Sequence, residues 1–128
     1  MMNTLPKTES LKSKKLIRLL FSTGTSEFVY PFKIVYHILD TEEKHPALLL
    51  ISVGKRKIKT AVARNHIKRL FREAYRKNKH PLLELLQNKD MNIALGFIYV
   101  GNIDPEYQFI EDKVKIAIDV LVKKFLDK

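Results

Sequence analysis

The sequence predicts an α+β fold: a two-layer sandwich, with helices packed on a small, mostly antiparallel sheet, in the order α-β-β-β-α-β-α. Three observations predict it. Stretches of period-two alternation lie between stretches of helical spacing, so one chain carries both element types. The helical stripes are apolar on one side only, as helices laid on a sheet require. Hydrophobic residues make up 45% of the 128 positions, enough for one core in one domain spanning 1–128.

In chain order, residues 1–9 show neither period and are expected to be a flexible lead. Ser13 can cap a short helix over 14–22, where Leu16, Ile17, Leu20 and Phe21 follow helical spacing and Gly24 can stop it. Residues 27–39 read as extended, broken by Pro31 into a short strand and a longer one. In the longer strand Phe32, Ile34, Tyr36 and Ile38 share one face, and Lys33, Val35, His37 and Leu39 the other. Residues 41–46 form a polar loop between antiparallel strands, and 47–53 an apolar strand that Gly54 ends. Thr60 can cap the next helix, whose core stripe is Ile67, Leu70, Phe71, Ala74 and Tyr75. Pro81 bends or breaks the chain, and 82–87 add a turn or two of helix. Residues 91–100 make a strand. Asp104 and Pro105 read as the cap and first-turn pair of a last helix, whose apolar face is Ile110, Val114, Ala117, Ile118, Leu121 and Phe125.

Where the charge sits is more informative than its total. The formal net charge is +10. Residues 55–79 hold Lys55, Arg56, Lys57, Lys59, Arg64, Lys68, Arg69, Arg72, Arg76, Lys77 and Lys79 against one acid, Glu73, so this stretch carries the whole net charge and the remainder is neutral. Arg64, Lys68, Arg72 and Arg76 follow one another at i+4, ~6 Å apart along a helix, with Asn65, His66 and Arg69 beside them. Like charges at that spacing cost an isolated helix a few tenths of a kcal/mol per pair, whereas a merely solvated face mixes signs. A helix face that opposes its own folding points to a polyanion that neutralises it. Fixed cations release the counterions condensed on nucleic-acid phosphates. Arginine adds a planar fork for phosphate, and Asn65 can read a sugar hydroxyl or base edge. The candidate RNA-binding residues are therefore Lys55, Arg56, Lys59, Arg64, Asn65, His66, Lys68, Arg69, Arg72 and Arg76.

Other chemistries find little support. There is no cysteine, which excludes disulfides and thiolate metal sites. His37, His45, His66 and His80 have no ligand spacing, and no nucleophile–base set or phosphate-cradling loop is visible. No catalytic residue, metal-binding residue or organic cofactor is expected. No apolar run approaches the ~20 residues of a membrane helix. The basic helix lacks the large apolar residues of interfacial helices on its charged side, so no membrane partner is expected. The chain reads as soluble and cytoplasmic.

Ser52-Val53-Gly54-Lys55-Arg56, then residues 61–70 reading Ala-Val-Ala-Arg-Asn-His-Ile-Lys-Arg-Leu, then Arg72-Glu73-Ala74-Tyr75-Arg76, resemble the signature of the bacterial ribonuclease P protein family. That signature is a strand ending in Ser/Thr-Val-x-Lys-Lys, a short basic loop, and a helix reading Arg-Asn-Arg-Ile-Lys-Arg-x-x-Arg-Glu. His66 stands where the family usually has its second Arg, and Ile17 where an aromatic residue is more usual. The resemblance implies a left-handed β-α-β crossover, a ribosomal-protein-like trait. It also implies a subunit of the particle that removes the 5′ leader of precursor tRNA. Catalysis would then belong to the ribonuclease P RNA with Mg2+. Arg64, Asn65, Lys68, Arg69 and Arg72 would dock on that RNA, with Lys55 and Arg56 near it. A cleft between the first helix and the sheet would hold the single-stranded leader through Ile17, Phe21, Lys33, Val35, His37 and Ser52. No DNA partner is implied. The alternative is a general structured-RNA-binding module with no part in cleavage, which would need no single-strand cleft.

Overall fold

The structure, a computed structural model, describes residues 7–102 and 104–128, leaving the Lys7 side chain aside. Helix α1 spans Lys14–Thr23, α2 Ala61–Asn78, α3 His80–Asn88 and α4 Tyr107–Leu126; strands are β1 Thr25–Val29, β2 Phe32–Leu39, β3 Ala47–Val53 and β4 Asn92–Tyr99. The sheet order is β1-β2-β4-β3, with β1–β2 and β2–β4 antiparallel and β3–β4 parallel. The 41–46 loop thus joins strands that run antiparallel but are not neighbours, because β4 lies between them. Burial explains the order. Strand β4 is covered on nearly every residue and takes a central place, while β1 is mostly exposed and takes an edge.

The alternation read in β2 sorts the core. Phe32, Ile34 and Tyr36 join Ile67, Phe71, Tyr75, Leu82, Val114 and Phe125 in the large cluster beneath α2, α3 and α4. Val35 and Leu39 join Leu20, Leu48 and Ala94 in a smaller cluster beneath α1, on the opposite face. The sheet and the three later helices are the two layers anticipated; α1 adds a partial third. Gly96 makes that third layer possible, since a Cβ there would lie 3.2 Å from Leu20 and 3.3 Å from Val35. Helices α2 and α3 carry the crossover between the parallel strands β3 and β4.

Local chemistry sets most element ends. The hydroxyl oxygens of Ser13 and Thr60 accept the N–H groups of Leu16 and Ala63 at 3.2 and 3.1 Å, capping α1 and α2. Gly24 ends α1, though by space and not by left-handed backbone. It is extended, and a Cβ would fall 2.3 Å from the Leu20 carbonyl oxygen. Pro81 sits in the first turn of a separate helix, α3, which adds one element to the expected order. The last helix is capped by Glu106, not by Asp104 and Pro105: Glu106 is extended, and its carbonyl accepts the Ile110 N–H.

The expectation of a flexible lead over 1–9 falls partly outside the described residues, since 1–6 are not among them. Lys7–Glu9 form a 3-10 turn, and Glu9 is 1% exposed, paired with Lys79 through contacts of 2.8 and 3.0 Å. Ser10 bridges Leu49, and the Leu11 N–H bonds the Leu49 carbonyl at 2.8 Å, so the segment flanks the β3 edge and fixes where α1 begins.

Candidate RNA interface

Helix α2 buries Ile67, Phe71, Ala74 and Tyr75, which sets the direction of every other side chain. At ~100° per residue, the outward direction falls on Asn65 and Arg69, both exposed, flanked by Arg72 and Arg76. The i+4 row Arg64, Lys68, Arg72, Arg76 drifts ~40° per step and so winds from the buried margin towards solvent. Arg64 begins it half-buried, and its guanidinium donates to the Ile58 carbonyl at 2.8 Å, tying the helix to the preceding loop. Arg76 ends it bound to Glu73 by two hydrogen bonds of 3.2 and 3.1 Å, and Lys77 reaches the same carboxylate at 3.5 Å. The Arg76 hydrogen bond holds the Glu73 carboxyl below its usual range, and Glu73 in turn raises Arg76.

Several cations of this stretch therefore serve the fold. Lys57 donates to the Val100 carbonyl at 3.1 Å, closing the basic loop against the end of β4, and Lys79 holds Glu9. Lys55, Arg56, Lys59, Lys68 and Arg72 have no hydrogen-bonding or ionic partner among the described residues, and Arg69 contacts only His66, at 3.2 Å from its Nδ1. These six, with Asn65 and half-buried His66, form one continuous surface along the loop and the helix.

The other face of the sheet presents the second group of predicted residues. Register aligns Lys33 with Ile98 and Ser52 with Ile98, so Lys33, Ile98 and Ser52 form one row across the sheet, on the α1 side. Lys33 is exposed, and Ile98 and Ser52 are half-buried. From α1, Ile17 packs partly on this side with Leu50 and Ile98, and Phe21 stands 48% exposed. Lys33, Ile98 and Ser52 thus share the side of the sheet on which α1 lies. Val35 and His37 lie further along the same side of β2. Val35 is 4% exposed in the cluster that holds Leu20, so it supports the helix and offers no contact surface. His37 lies four residues along β2 from Lys33, ~13 Å away, with Nδ1 3.4 Å from the Thr23 hydroxyl.

Sequence reasoning missed two features of this side. Phe28 pairs with Lys33 and so shares its face, a facing that follows from the register of the β1–β2 hairpin. Helix α1 also carries Lys14, Lys15 and Arg18, all exposed, and no acid. Among the described residues, no group of three or more His, Asp or Glu side chains could hold a metal ion, and no helix is long and apolar enough to cross a membrane.

Comparison with known proteins identifies the family. The family profile of ribonuclease P matches residues 5–100. The ribonuclease P protein component of Porphyromonas gingivalis is 36% identical over 107 residues, covering 84% of this chain and 78% of that protein. Its counterpart from Chlorobium phaeobacteroides is 34% identical, covering 77% and 73%. Among solved structures, the RNase P protein of Staphylococcus aureus superposes with a TM-score of 0.69 at 22% identity, over 89% of this chain and 95% of that one. The RNase P protein of Thermotoga maritima gives 0.67 at 20%, over 89% and 96%. The α+β fold, the basic loop and helix, and these relatives place the chain in the ribonuclease P protein family: it is the protein subunit of the ribonucleoprotein that processes the 5′ end of tRNA.

Proposed function

We propose that the two surfaces divide the subunit's work. Lys55, Arg56, Lys59, Asn65, Lys68, Arg69 and Arg72 dock on the catalytic RNA, with Arg64 holding the loop in place for them. Ile17, Phe21, Lys33 and Ser52 hold the single-stranded 5′ leader of precursor tRNA. Phosphodiester cleavage belongs to the RNA, which brings Mg2+ with it, and the particle works in the cytoplasm. The observation that carries this reading is the placement of six cations without acidic partners along one loop and helix face, while Lys33, Ser52 and helix α1 lie on the opposite side of the sheet. Phosphate neutralisation explains the first surface. A flat ring beside an ammonium explains the second, because single strands are held by stacking platforms next to positive charge.

The test is reconstitution with a bacterial ribonuclease P RNA and precursor tRNAs with and without leaders, at low magnesium. Arg69→Ala should weaken protein–RNA affinity and flatten its salt dependence, leaving the preference for leader-bearing substrate intact. Phe21→Ala should do the reverse. Equal loss of both properties in both variants would refute the division.

A further inference from the structure

The open row of the sheet does not end at Lys33. Register pairs Lys33 with Phe28 of β1, so Phe28, Lys33, Ile98 and Ser52 lie side by side on one face, ~14 Å from end to end. Phe28 occupies the outer end and is 62% exposed, the most exposed aromatic ring among the described residues. Tyr30, 51% exposed, stands next to it, with ring centroids 6.4 Å apart and tilted by 54°. No helix covers this pair from above. Helix α4 meets β1 on the reverse face, where Glu27 pairs with Lys124 at 3.2 Å.

Two exposed rings on an edge strand and the turn that follows it are a liability for an isolated protein. Their surroundings indicate what covers them. Lys33 is exposed and has no ionic partner among the described residues. The strand residues that share its face include no carboxylate, and the neighbouring helix α1 carries three bases and no acid. A flat apolar ring, an adjacent free ammonium and a surface without negative charge fit a base on the ring and its phosphate on the amine. The patch is continuous, through Lys33, with the cleft assigned to the leader.

We propose that Phe28, with Tyr30 beside it, is a further stacking station for single-stranded RNA. It holds a leader nucleotide beyond those reached by the cleft between α1 and the sheet. The inference rests on the leader-binding reading above and extends its footprint to the edge of the sheet.

The experiment uses the full chain reconstituted with ribonuclease P RNA, and precursor tRNAs whose leaders are lengthened one nucleotide at a time. Affinity of the wild-type particle should rise with leader length and then level off. With Phe28→Ala the plateau should come at a shorter leader, and the longest leaders should bind roughly fivefold more weakly, while short leaders bind as before. Phe28→Trp should restore the gain and Phe28→Leu should not, since stacking needs a flat ring. Phe21→Ala should weaken binding at every length. If Phe28→Ala matches the wild type at all lengths while Phe21→Ala does not, the station is overturned and the cleft stands. If neither variant alters the length response, the leader reading fails as well. A Phe28→Ala effect confined to sedimentation behaviour would overturn the station in favour of self-association.

Discussion

Removing either partner of the Glu9–Lys79 pair tests whether the N-terminal segment belongs to the fold. The Glu9 side chain is 1% exposed and that of Lys79 13%, and both Glu9 oxygens lie within 3.0 Å of the ammonium. Breaking a buried pair by deleting one member costs about 3–5 kcal/mol, because the other charge is stranded. The two members are stranded unequally. With Glu9→Gln, the Lys79 ammonium can slide its flexible stem towards the water it already touches, so the cost should sit near the lower end, ~3 kcal/mol. With Lys79→Met, a carboxylate has no route to solvent and remains close to the buried Tyr75 phenol, so the cost should approach ~5 kcal/mol. Urea unfolding of the full chain measures both, and the milder variant should lose roughly 10 °C in Tm. Replacing both together, Glu9→Leu with Lys79→Met, should recover most of the loss, since the cost is one of stranding. The reasoning fails if Lys79→Met costs less than Glu9→Gln, or if both cost under ~0.5 kcal/mol, the range of ordinary surface substitutions.

Three more outcomes follow from particular groups. The logarithmic salt slope for RNA binding should have a magnitude of about 4 to 5.5, the release expected from six phosphate contacts. Arg69→Ala should lower it by ~1 and Arg76→Ala much less, because Arg76 is already engaged by Glu73; a slope near 10 would show that the fold-serving cations also bind. The Tyr75 hydroxyl is buried with no partner among the described residues, so Tyr75→Phe should stabilise the protein by ~1 kcal/mol in denaturant titration, and a fall in midpoint would reveal a hidden partner. Burial first of all pushes the phenols of Tyr99 and Tyr107 up to about 12 from an ordinary value near 10. A raised folded value gives stability that is complete below pH ~10 and lost as pH climbs through about 12. Tyr107→Phe should therefore soften the alkaline limb of a stability–pH curve without lowering stability at neutral pH, since its hydroxyl too is buried without a partner among the described residues.

How much of this was legible before the structure depends on the range of the physics involved. Periodicity is local, so the facing of β2 and the core stripes of α2 and α4 could be read directly. Caps are local too, and Ser13 and Thr60 behave as read. Strand order is not local. Nothing in residues 41–46 says that β4 will enter between β2 and β3; the signal lay in how completely apolar β4 is, which suits a central strand. Gly24 stops α1 as expected, but the contact with the Leu20 carbonyl that requires a glycine there is invisible in the sequence. Val35 had the right parity for the cleft, but parity does not report that Leu20 packs over it. Charge counting found the basic stretch, but it does not report which of its cations the fold itself engages: the partners of Arg64, Lys57 and Lys79 are a loop carbonyl, a strand-end carbonyl and a residue seventy positions away.

The cations that are not free make the division of labour workable. A loop of four closely spaced bases would splay from self-repulsion if nothing held it. Here it is pinned at its middle, by Lys57 on Val100 and by Arg64 on the adjacent loop carbonyl of Ile58. That leaves Lys55, Arg56 and Lys59 presented on a fixed curve between Ser52, at the mouth of the cleft, and Asn65, on the outer face of α2. In the proposed division, the loop is where the two surfaces meet. Substitutions at Arg69 or Phe21 should separate RNA docking from leader selection. Substitution at Lys57, which releases the loop from β4, should impair both at once, and it should do so without a large loss of global stability because its ammonium is exposed.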